Sequence, residues 1–248
     1  MQPSFLESPN NNRIAYFLSE GKSPCVIFFG GFKSDMTGTK AITLEKYCKD
    51  NGQRFIRFDY SGHGKSGGEF RNGTIGGWKN DALAIIDNLG ADRNIFVGSS
   101  MGAWLAMLCA LERPKKVAGM VGIASAPDFT EKLIWEKLNS EQKEKLKEEG
   151  VYYAPSCYGE EPYPIMFNLI EEARNHLLLD SDIRLEVPVR LLHGTEDEDV
   201  PWQLSVKILQ KITSKNIALS LIKDGNHRLS EPQQLNMLCE AVKTLCQP

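Results

Sequence analysis

Short runs of apolar residues alternate with amphipathic segments along most of the chain. The apolar runs predict strands at 25–29, 54–59, 94–97, 117–124, 187–192 and 217–222. The segments between them predict helices at 39–50, 78–89, 103–111, 201–212 and from 230 onwards. Two shorter strand-like runs, 4–8 and 13–18, surround an asparagine-rich turn. This alternation predicts an α/β fold with a mostly parallel sheet and helices on both faces.

The strand pattern stops between 127 and 186. This stretch is predicted to be helical and partly charged, with a Glu- and Lys-rich run at 136–149, an aromatic, proline-containing loop, and a helix at 165–179. We interpret 127–183 as a helical lid over the carboxyl edge of the sheet, inserted into a single domain that spans 1–248. The charged run is interpreted as a solvated face of the lid.

The segment Gly98-Ser99-Ser100-Met101-Gly102 lies between a predicted buried strand and a predicted helix. This G-x-S-x-G pattern is typical of a nucleophile elbow, a sharp turn that projects the serine Oγ into a cleft. Small residues two positions away let the strand and the helix pass closely. Ser100 is therefore the predicted nucleophile, and a simple tight turn is the alternative interpretation.

A serine hydroxyl is a weak nucleophile at neutral pH, so it needs a general base. His227 follows the last predicted strand, and loops at the carboxyl ends of parallel strands share one edge of the sheet. We therefore predict His227 as the base of Ser100. His63 and His193 are interpreted as turn and packing residues, and His176 falls in the predicted lid.

The general base needs an orienting carboxylate, which we expect after another strand. Residues 196–199 offer four carboxylates in a row, and Asp197 occupies the tip of the predicted turn. Asp199 lies just before a predicted helix, where the helix dipole is a sufficient structural reason for an acidic residue. Asp197 is the predicted acid, and the chain order Ser100, Asp197, His227 is that of α/β-hydrolases.

Negative charge that develops on a carbonyl oxygen needs hydrogen-bond donors. The backbone N–H of Met101 directly follows the predicted nucleophile, and the N–H of Phe32 follows Gly30-Gly31 at the end of a strand. We predict these two groups as the oxyanion hole. The alternative for Phe32 is a core position.

The glycine-rich loop at 62–67 matches G-x-G-x-x-G after a strand, which suggests dinucleotide binding. That function requires a helix to open within the loop, whereas an irregular stretch through Gly76-Gly77 is predicted before the next helix. Gly64-Lys65-Ser66 resembles the end of a phosphate-binding loop, but Asp59 stands where that loop needs glycine. Both nucleotide interpretations are rejected.

The formal net charge is −3 and the isoelectric point is about 5.9, which gives no electrostatic reason to expect nucleic acid or an anionic membrane as a partner. No apolar run approaches the length of a membrane span. The six cysteines lack metal-ligand spacing and are interpreted as free thiols in a reducing compartment. The predicted chemistry needs no metal and no organic cofactor.

Taken together, these segments resemble the serine α/β-hydrolase superfamily along the whole chain. The resemblance rests on Gly30-Gly31-Phe32, 59–66, 98–102, 193–201 and 224–227. More specifically, the chain resembles a family of mitochondrial palmitoyl-protein thioesterases that also hydrolyse acyl glucuronides. Ser100, Asp197 and His227 fall on that family's triad positions. Gly30 is a departure, because many relatives have histidine before the oxyanion loop.

The resemblance implies S-acylated protein cysteines and small acyl esters as substrates, and a mitochondrial location. We expect the targeting presequence to be absent from this chain and the protein to be a monomer. The residues alone predict only ester or thioester hydrolysis. The alternatives are a small-molecule carboxylesterase or lipase on this fold, and a non-catalytic binding module. Five apolar lid residues either line an acyl groove or pack the lid onto the body: Trp135, Ile165, Met166, Phe167 and Ile170.

Overall fold

The structure is a computed structural model that describes residues 2–9, 11–154 and 163–247. The strands are β1 (Ser4–Glu7), β2 (Arg13–Ser19), β3 (Lys22–Phe29), β4 (Gln53–Phe58), β5 (Asn94–Ser99), β6 (Val117–Ile123), β7 (Val151–Ala154), β8 (Tyr163–Met166), β9 (Val189–Gly194) and β10 (Ile217–Ile222). The α-helices are α1 (Thr39–Asp50), α2 (Ile75–Leu89), α3 (Met101–Glu112), α4 (Ser140–Glu149), α5 (Phe167–Ala173), α6 (Gln203–Lys211) and α7 (Pro232–Cys246).

Eight strands form one sheet in the order β1-β2-β4-β3-β5-β6-β9-β10. The pairs β1/β2 and β2/β4 are antiparallel, and every other pair in this sheet is parallel. Helices α1 and α7 bury Leu44 and Val242 on one face, and α2 and α3 bury Ile85 and Leu105 on the other. The predicted mostly parallel sheet with helices on both faces is confirmed.

The starts of α2, α3, α6 and α7 differ from the prediction; α3 begins at Met101 rather than at 103, and α6 at Gln203 rather than at 201. Helix α2 begins at Ile75 rather than at 78, because the hydroxyl oxygen of Thr74 accepts a hydrogen bond from the Gly77 N–H (3.0 Å) and caps the helix before its two glycines. In α7 the capping box is formed by Glu231 and Gln234, one residue later than the predicted start at 230.

The segment between β6 and β9 departs from the expected all-helical lid. It contains α4 and α5, but also the antiparallel hairpin β7–β8, in which Val151 pairs with Met166 and Tyr152 with Ile165. Helix α4 buries Leu146 and exposes its Glu and Lys residues except Lys143, which is half-buried, as the solvated-face interpretation requires. The predicted aromatic, proline-containing loop lies largely outside the described residues.

One buried carboxylate ties the two ends of this insertion together. The two oxygens of Asp128, near its start, accept hydrogen bonds from the N–H groups of Leu178 and Leu179, near its end, each at 2.8 Å. Helix α5 is also attached to the body, because the Glu172 carboxylate accepts a hydrogen bond from the Gly76 N–H at the start of α2 (3.0 Å). These contacts hold the insertion against the sheet. The single domain over 1–248 stays a prediction.

Five cysteines are free in the described part of the chain, at positions 25, 48, 109, 239 and 246. Burial raises the pKa of the Cys25 thiol to about 12, which keeps it protonated and unreactive. The sixth, Cys157, lies outside the described residues. None of the described helices has the length and apolar character needed to cross a membrane.

Candidate active site

The turn between β5 and α3 holds Ser100 in a backbone conformation that few L-residues adopt. Its φ is 54° and its ψ is −120°. The Ser100 N–H donates to the Ile123 carbonyl oxygen (2.8 Å), and the Ser100 carbonyl oxygen accepts from the Ala103 N–H (3.0 Å). These bonds on both sides fix the strained turn, which is the geometry expected of a nucleophile elbow.

The glycines on either side of Ser100 are required by close packing. A Cβ atom on Gly98 would overlap the backbone of Ala103, and one on Gly102 would overlap the carbonyl oxygens of Phe29 and Gly30. Helix α3 therefore starts directly against the end of β3. Only glycine permits this approach at both positions.

We expect Gly102→Ala to lower the free energy of unfolding by about 3 kcal/mol, because the new methyl group meets rigid backbone oxygens rather than flexible side chains. Urea unfolding followed by circular dichroism measures the change. Gly67→Ala is the matched control, since its Cβ would lie at an ordinary 3.5 Å from the Arg13 nitrogen. Equal stability of the two variants would contradict this packing.

The predicted base and acid meet at the carboxyl edge of the sheet. His227 Nδ1 donates to Asp197 Oδ2 at 2.7 Å, and Asp197 Oδ1 accepts from the N–H groups of Asp199 (3.0 Å) and Val200 (2.8 Å). The Asp197 side chain is fully buried, and that of His227 is 16% exposed. The carboxylate thus holds the ring with Nε2 available for chemistry.

The Asp197 carboxylate is held ionised. Burial acts to raise its pKa, but hydrogen bonds from His193 and His227, together with the charge of His227, act more strongly and bring the pKa well below its ordinary value. Glu196 and Glu198 are exposed and Asp199 is half-buried. Among the four carboxylates at 196–199, the predicted Asp197 is hydrogen-bonded to the His227 ring.

The loops that carry Asp197 and His227 are packed on each other. The Glu196 N–H donates to the Gly225 carbonyl oxygen (2.9 Å), and the Asp224 N–H donates to the Thr195 hydroxyl (2.9 Å). A Cβ atom on Gly194 would overlap the backbone of Gly225. These contacts fix the separation of the two side chains.

Ser100 and His227 line one cavity of about 530 Å³. Within the described residues no hydrogen bond joins the Ser100 hydroxyl to the His227 ring, as is common before substrate binds. The apolar side chains of this cavity are Phe28, Phe32, Ala41, Met101, Ala126, Phe129, Leu133, Ile134, Ile165 and Val200.

Of the five lid residues left open by the sequence, Ile165 lines this cavity. Trp135 packs on Phe167 at a ring-centroid distance of 5.9 Å, and Ile170 is fully buried. Met166 lines a neighbouring cavity instead.

The predicted oxyanion loop lies beside the elbow. A Cβ atom on Gly31 would lie 3.6 Å from Ser100 Cβ, and Phe32 and Met101 both line the cavity. Across the described residues, neither the Phe32 N–H nor the Met101 N–H is hydrogen-bonded within the protein. The Phe32 ring contacts Phe70 and Phe129 at centroid distances of 5.1 and 5.7 Å. Its ring therefore packs in the core while its N–H remains a possible donor.

The other histidines lie elsewhere or play another part. His63 is buried in contact with Tyr60, Phe70 and Trp78, and burial lowers its pKa to about 4. His176 contacts Glu172 at 2.7 Å in the lid. His193, interpreted from the sequence as a packing residue, instead contacts Asp197 at 3.0 Å. The sequence signal that could have revealed this contact is the spacing of four residues between His193 and Asp197, across the end of a strand.

One group of possible metal ligands occurs in the described ranges, and it coincides with this site. Asp197, Asp199 and His227 each place one ligand atom within 4.8 Å of the others. Each oxygen of Asp197 already accepts two hydrogen bonds, which occupies the lone pairs that a cation needs. The arrangement therefore fits a hydrogen-bonded acid–base pair better than a metal centre.

Comparisons with known proteins agree with this fold. The model of the alpha/beta hydrolase fold family matches residues 24–158. The mitochondrial palmitoyl-protein thioesterase ABHD10 of Bos taurus is 42% identical over 98% of this chain and 79% of its own length. The structure of mouse alpha/beta hydrolase domain-containing protein 10 has a TM-score of 0.93 and 39% identity, over 99% of this chain and 98% of that one. A putative hydrolase from Agrobacterium vitis S4 has a TM-score of 0.95 and 36% identity, over 99% of both chains.

The fold and the triad-like site define a serine hydrolase of the alpha/beta hydrolase class. At this identity and coverage, the chain belongs to the ABHD10 family within that class.

Proposed function

We propose that this enzyme hydrolyses acyl thioesters and esters, with Ser100 as nucleophile, His227 as general base and Asp197 as the orienting acid. The observation that carries the proposal is the 2.7 Å hydrogen bond between His227 and the fully buried Asp197 carboxylate, at the edge of the cavity that Ser100 also lines. The strained backbone of Ser100 supports the nucleophile role.

In the first half of the reaction, His227 Nε2 takes the proton of the Ser100 hydroxyl while Oγ attacks the acyl carbonyl carbon. The carbonyl oxygen becomes an oxyanion, and the N–H groups of Phe32 and Met101 donate to it. Asp197 stabilises the imidazolium of His227. The tetrahedral intermediate then breaks its bond to the leaving sulfur or oxygen, which receives the proton from His227, and an acyl-enzyme ester remains on Ser100.

In the second half, His227 takes a proton from water while the water oxygen attacks the acyl-enzyme carbonyl. The same two N–H groups stabilise the second oxyanion. Collapse of this intermediate breaks the bond to Ser100 Oγ, which receives the proton from His227. The products are a carboxylic acid and the regenerated serine, and the cycle needs no metal and no organic cofactor.

We propose long-chain S-acyl cysteines of proteins as the main substrates. The support is the apolar lining of the catalytic cavity and the relatives' name, palmitoyl-protein thioesterase. Acyl glucuronides and small acyl esters fit the same acyl-enzyme route. The relatives are named mitochondrial, and we assign this chain to the same compartment. We further propose that it acts as a monomer.

A second cavity of about 620 Å³ offers a place for the polar leaving group. It shares Lys33, Ser34 and Asp35 with the catalytic cavity and continues along the loop at 62–71 to the β7–β8 hairpin. Polar and apolar groups contribute about equally to its lining, whereas apolar side chains dominate the catalytic cavity. We propose that the acyl chain enters the catalytic cavity and the leaving group enters the second.

The proposed acyl site predicts a dependence on chain length. Across thioesters of one thiol with acyl chains of 4 to 16 carbons, we expect kcat/KM to rise by up to about fourfold per buried methylene until the cavity is filled. Steady-state kinetics of the purified protein measures this rise.

A pair of variants tests whether the catalytic cavity causes this dependence on chain length. Leu133→Trp narrows the catalytic cavity and is expected to flatten the chain-length dependence, whereas the exposed Leu221→Trp retains it. A preference for the four-carbon over the long-chain thioesters would favour a small-molecule carboxylesterase. No hydrolysis of any acyl ester or thioester by the folded protein would favour a binding module.

A further inference from the structure

A second histidine contacts the proposed catalytic acid, at the same carboxylate oxygen as the proposed base. His193, at the end of β9, places Nε2 3.0 Å from Asp197 Oδ2 and 3.0 Å from the Val200 carbonyl oxygen. Its Nδ1 lies 2.6 Å from the hydroxyl oxygen of Ser205 in α6. A continuous hydrogen-bonded chain therefore runs from Ser205 through His193 and Asp197 to His227.

The partners of His193 determine where its ring carries a proton. A carboxylate and a carbonyl oxygen only accept, so Nε2 must be the donor to Asp197 and Val200. The Ser205 hydroxyl can donate, and it satisfies Nδ1 of a neutral ring. Of the two neutral tautomers, the surroundings thus select the one that carries its proton on Nε2.

The whole contact is sealed from water. His193 and Ser205 are fully buried, as is the Asp197 side chain. In such surroundings an ionised carboxylate is costly unless its oxygens are fully hydrogen-bonded. The two backbone N–H groups bind Oδ1 alone, so His193 is the donor that accompanies His227 on Oδ2.

We propose that His193 is a positioning residue for the triad: it donates from a neutral ring to Asp197 Oδ2 and so sets how strongly that oxygen holds His227. Ser205 keeps the donating tautomer in place. This inference rests on the proposed function, because it presumes that Asp197 and His227 act as acid and base.

The consequence lies in the pH dependence of activity. A neutral donor stabilises the carboxylate without placing a second positive charge beside the imidazolium of His227. Without that donor, Oδ2 carries more negative charge and favours protonated His227 more strongly. Neutral His227, the form that can act as base, is then lost at a higher pH.

Other charged groups near the site remain unchanged in the variants used to test this. Asp199 places a carboxylate oxygen within 4.8 Å of both Asp197 and His227. The remaining charged side chains that line the cavity are Lys33, Asp35, Lys40 and Arg228. A displaced pH profile in a His193 variant therefore reports the missing donor.

The test compares His193→Phe with His193→Gln, which retains an N–H near the position of Nε2. We expect the Phe variant to lose roughly 10- to 100-fold in kcat and to move the acid limb of kcat/KM upward by about half a pH unit. The Gln variant should restore the wild-type limb. An unmoved limb in folded His193→Phe would overturn the inference, because a purely structural role lowers activity without moving the limb.

His176→Phe is the control, since it removes another histidine–carboxylate contact away from the triad and should leave the limb in place. Should His193→Phe fail to fold, Ser205→Ala must move the limb upward by a smaller amount, and an unmoved limb there would equally overturn the inference.

A measurement independent of turnover separates this inference from the proposed function. ¹⁵N NMR of the histidine rings in the wild-type protein should show His193 as the Nε2–H tautomer. A proton on Nδ1 alone would overturn the inference even in an active enzyme. An inactive wild type with the expected tautomer would instead count against the proposed function.

Discussion

Ser100→Ala is expected to lower kcat for acyl thioesters by about 10⁵-fold, since no other group can form the acyl-enzyme and the residual rate comes from the oxyanion hole and binding alone. KM should change little, because the hydroxyl contributes little to ground-state binding. Steady-state and single-turnover kinetics on a long-chain thioester measure both quantities.

Ser220→Ala is the control for this variant, because Ser220 is an exposed serine on β10. It should retain wild-type activity, and circular dichroism should show both variants folded. Hydrolysis within tenfold of wild type by folded Ser100→Ala would remove Ser100 from its proposed role.

Asp197→Asn is expected to lower kcat by about 10⁴-fold while the fold is preserved. The amide fills the same volume but bears no charge, so it no longer stabilises the imidazolium of His227. It can also present N–H to Nδ1, which selects the wrong tautomer of the base. The kcat of the purified variant at neutral pH measures this loss.

Asp199→Asn is the matched comparison, two residues away and in the same loop. We expect it to retain activity within about tenfold of wild type, because Asp197 supplies the carboxylate that is hydrogen-bonded to the His227 ring. A larger loss in Asp199→Asn than in Asp197→Asn would reassign the acid to Asp199.

The sequence was sufficient for the sheet and the elbow because both depend on local signals. A run such as Asn94–Ser99 is apolar on both faces, which is typical of a central parallel strand. The glycines around Ser100 predict a close approach of strand and helix, and the structure contains this approach. The rule that loops at the carboxyl ends of strands share an edge was enough to bring His227 and Asp197 together.

The segment between β6 and β9 was harder to predict, because its sequence gives little indication that two strands pair within it. The antiparallel strands β7 and β8 have four residues each, and neither shows a clear alternation of apolar and polar residues.

The earlier start of α2 was missed because Gly76 and Gly77 argue against a helix, whereas the Thr74 cap and the Glu172 carboxylate stabilise its first turn.

The contacts of His193 with Asp197 and Ser205 could not be predicted from the sequence, for a different reason. A histidine at a strand end has many packing explanations, and its neighbours are visible only once α6 places Ser205 on the other side of the ring. Contacts between distant segments decide whether such a side chain fills space or holds a functional group.

The central claim is that Ser100 is a nucleophile activated by His227 and Asp197. Its most direct test is reaction of the folded protein with a fluorophosphonate, followed by mass spectrometry of the digested chain. We expect one label per chain, on Ser100, with labelling much slower in Asp197→Asn. Folded protein that stays unlabelled, or a label on another residue, would contradict the claim.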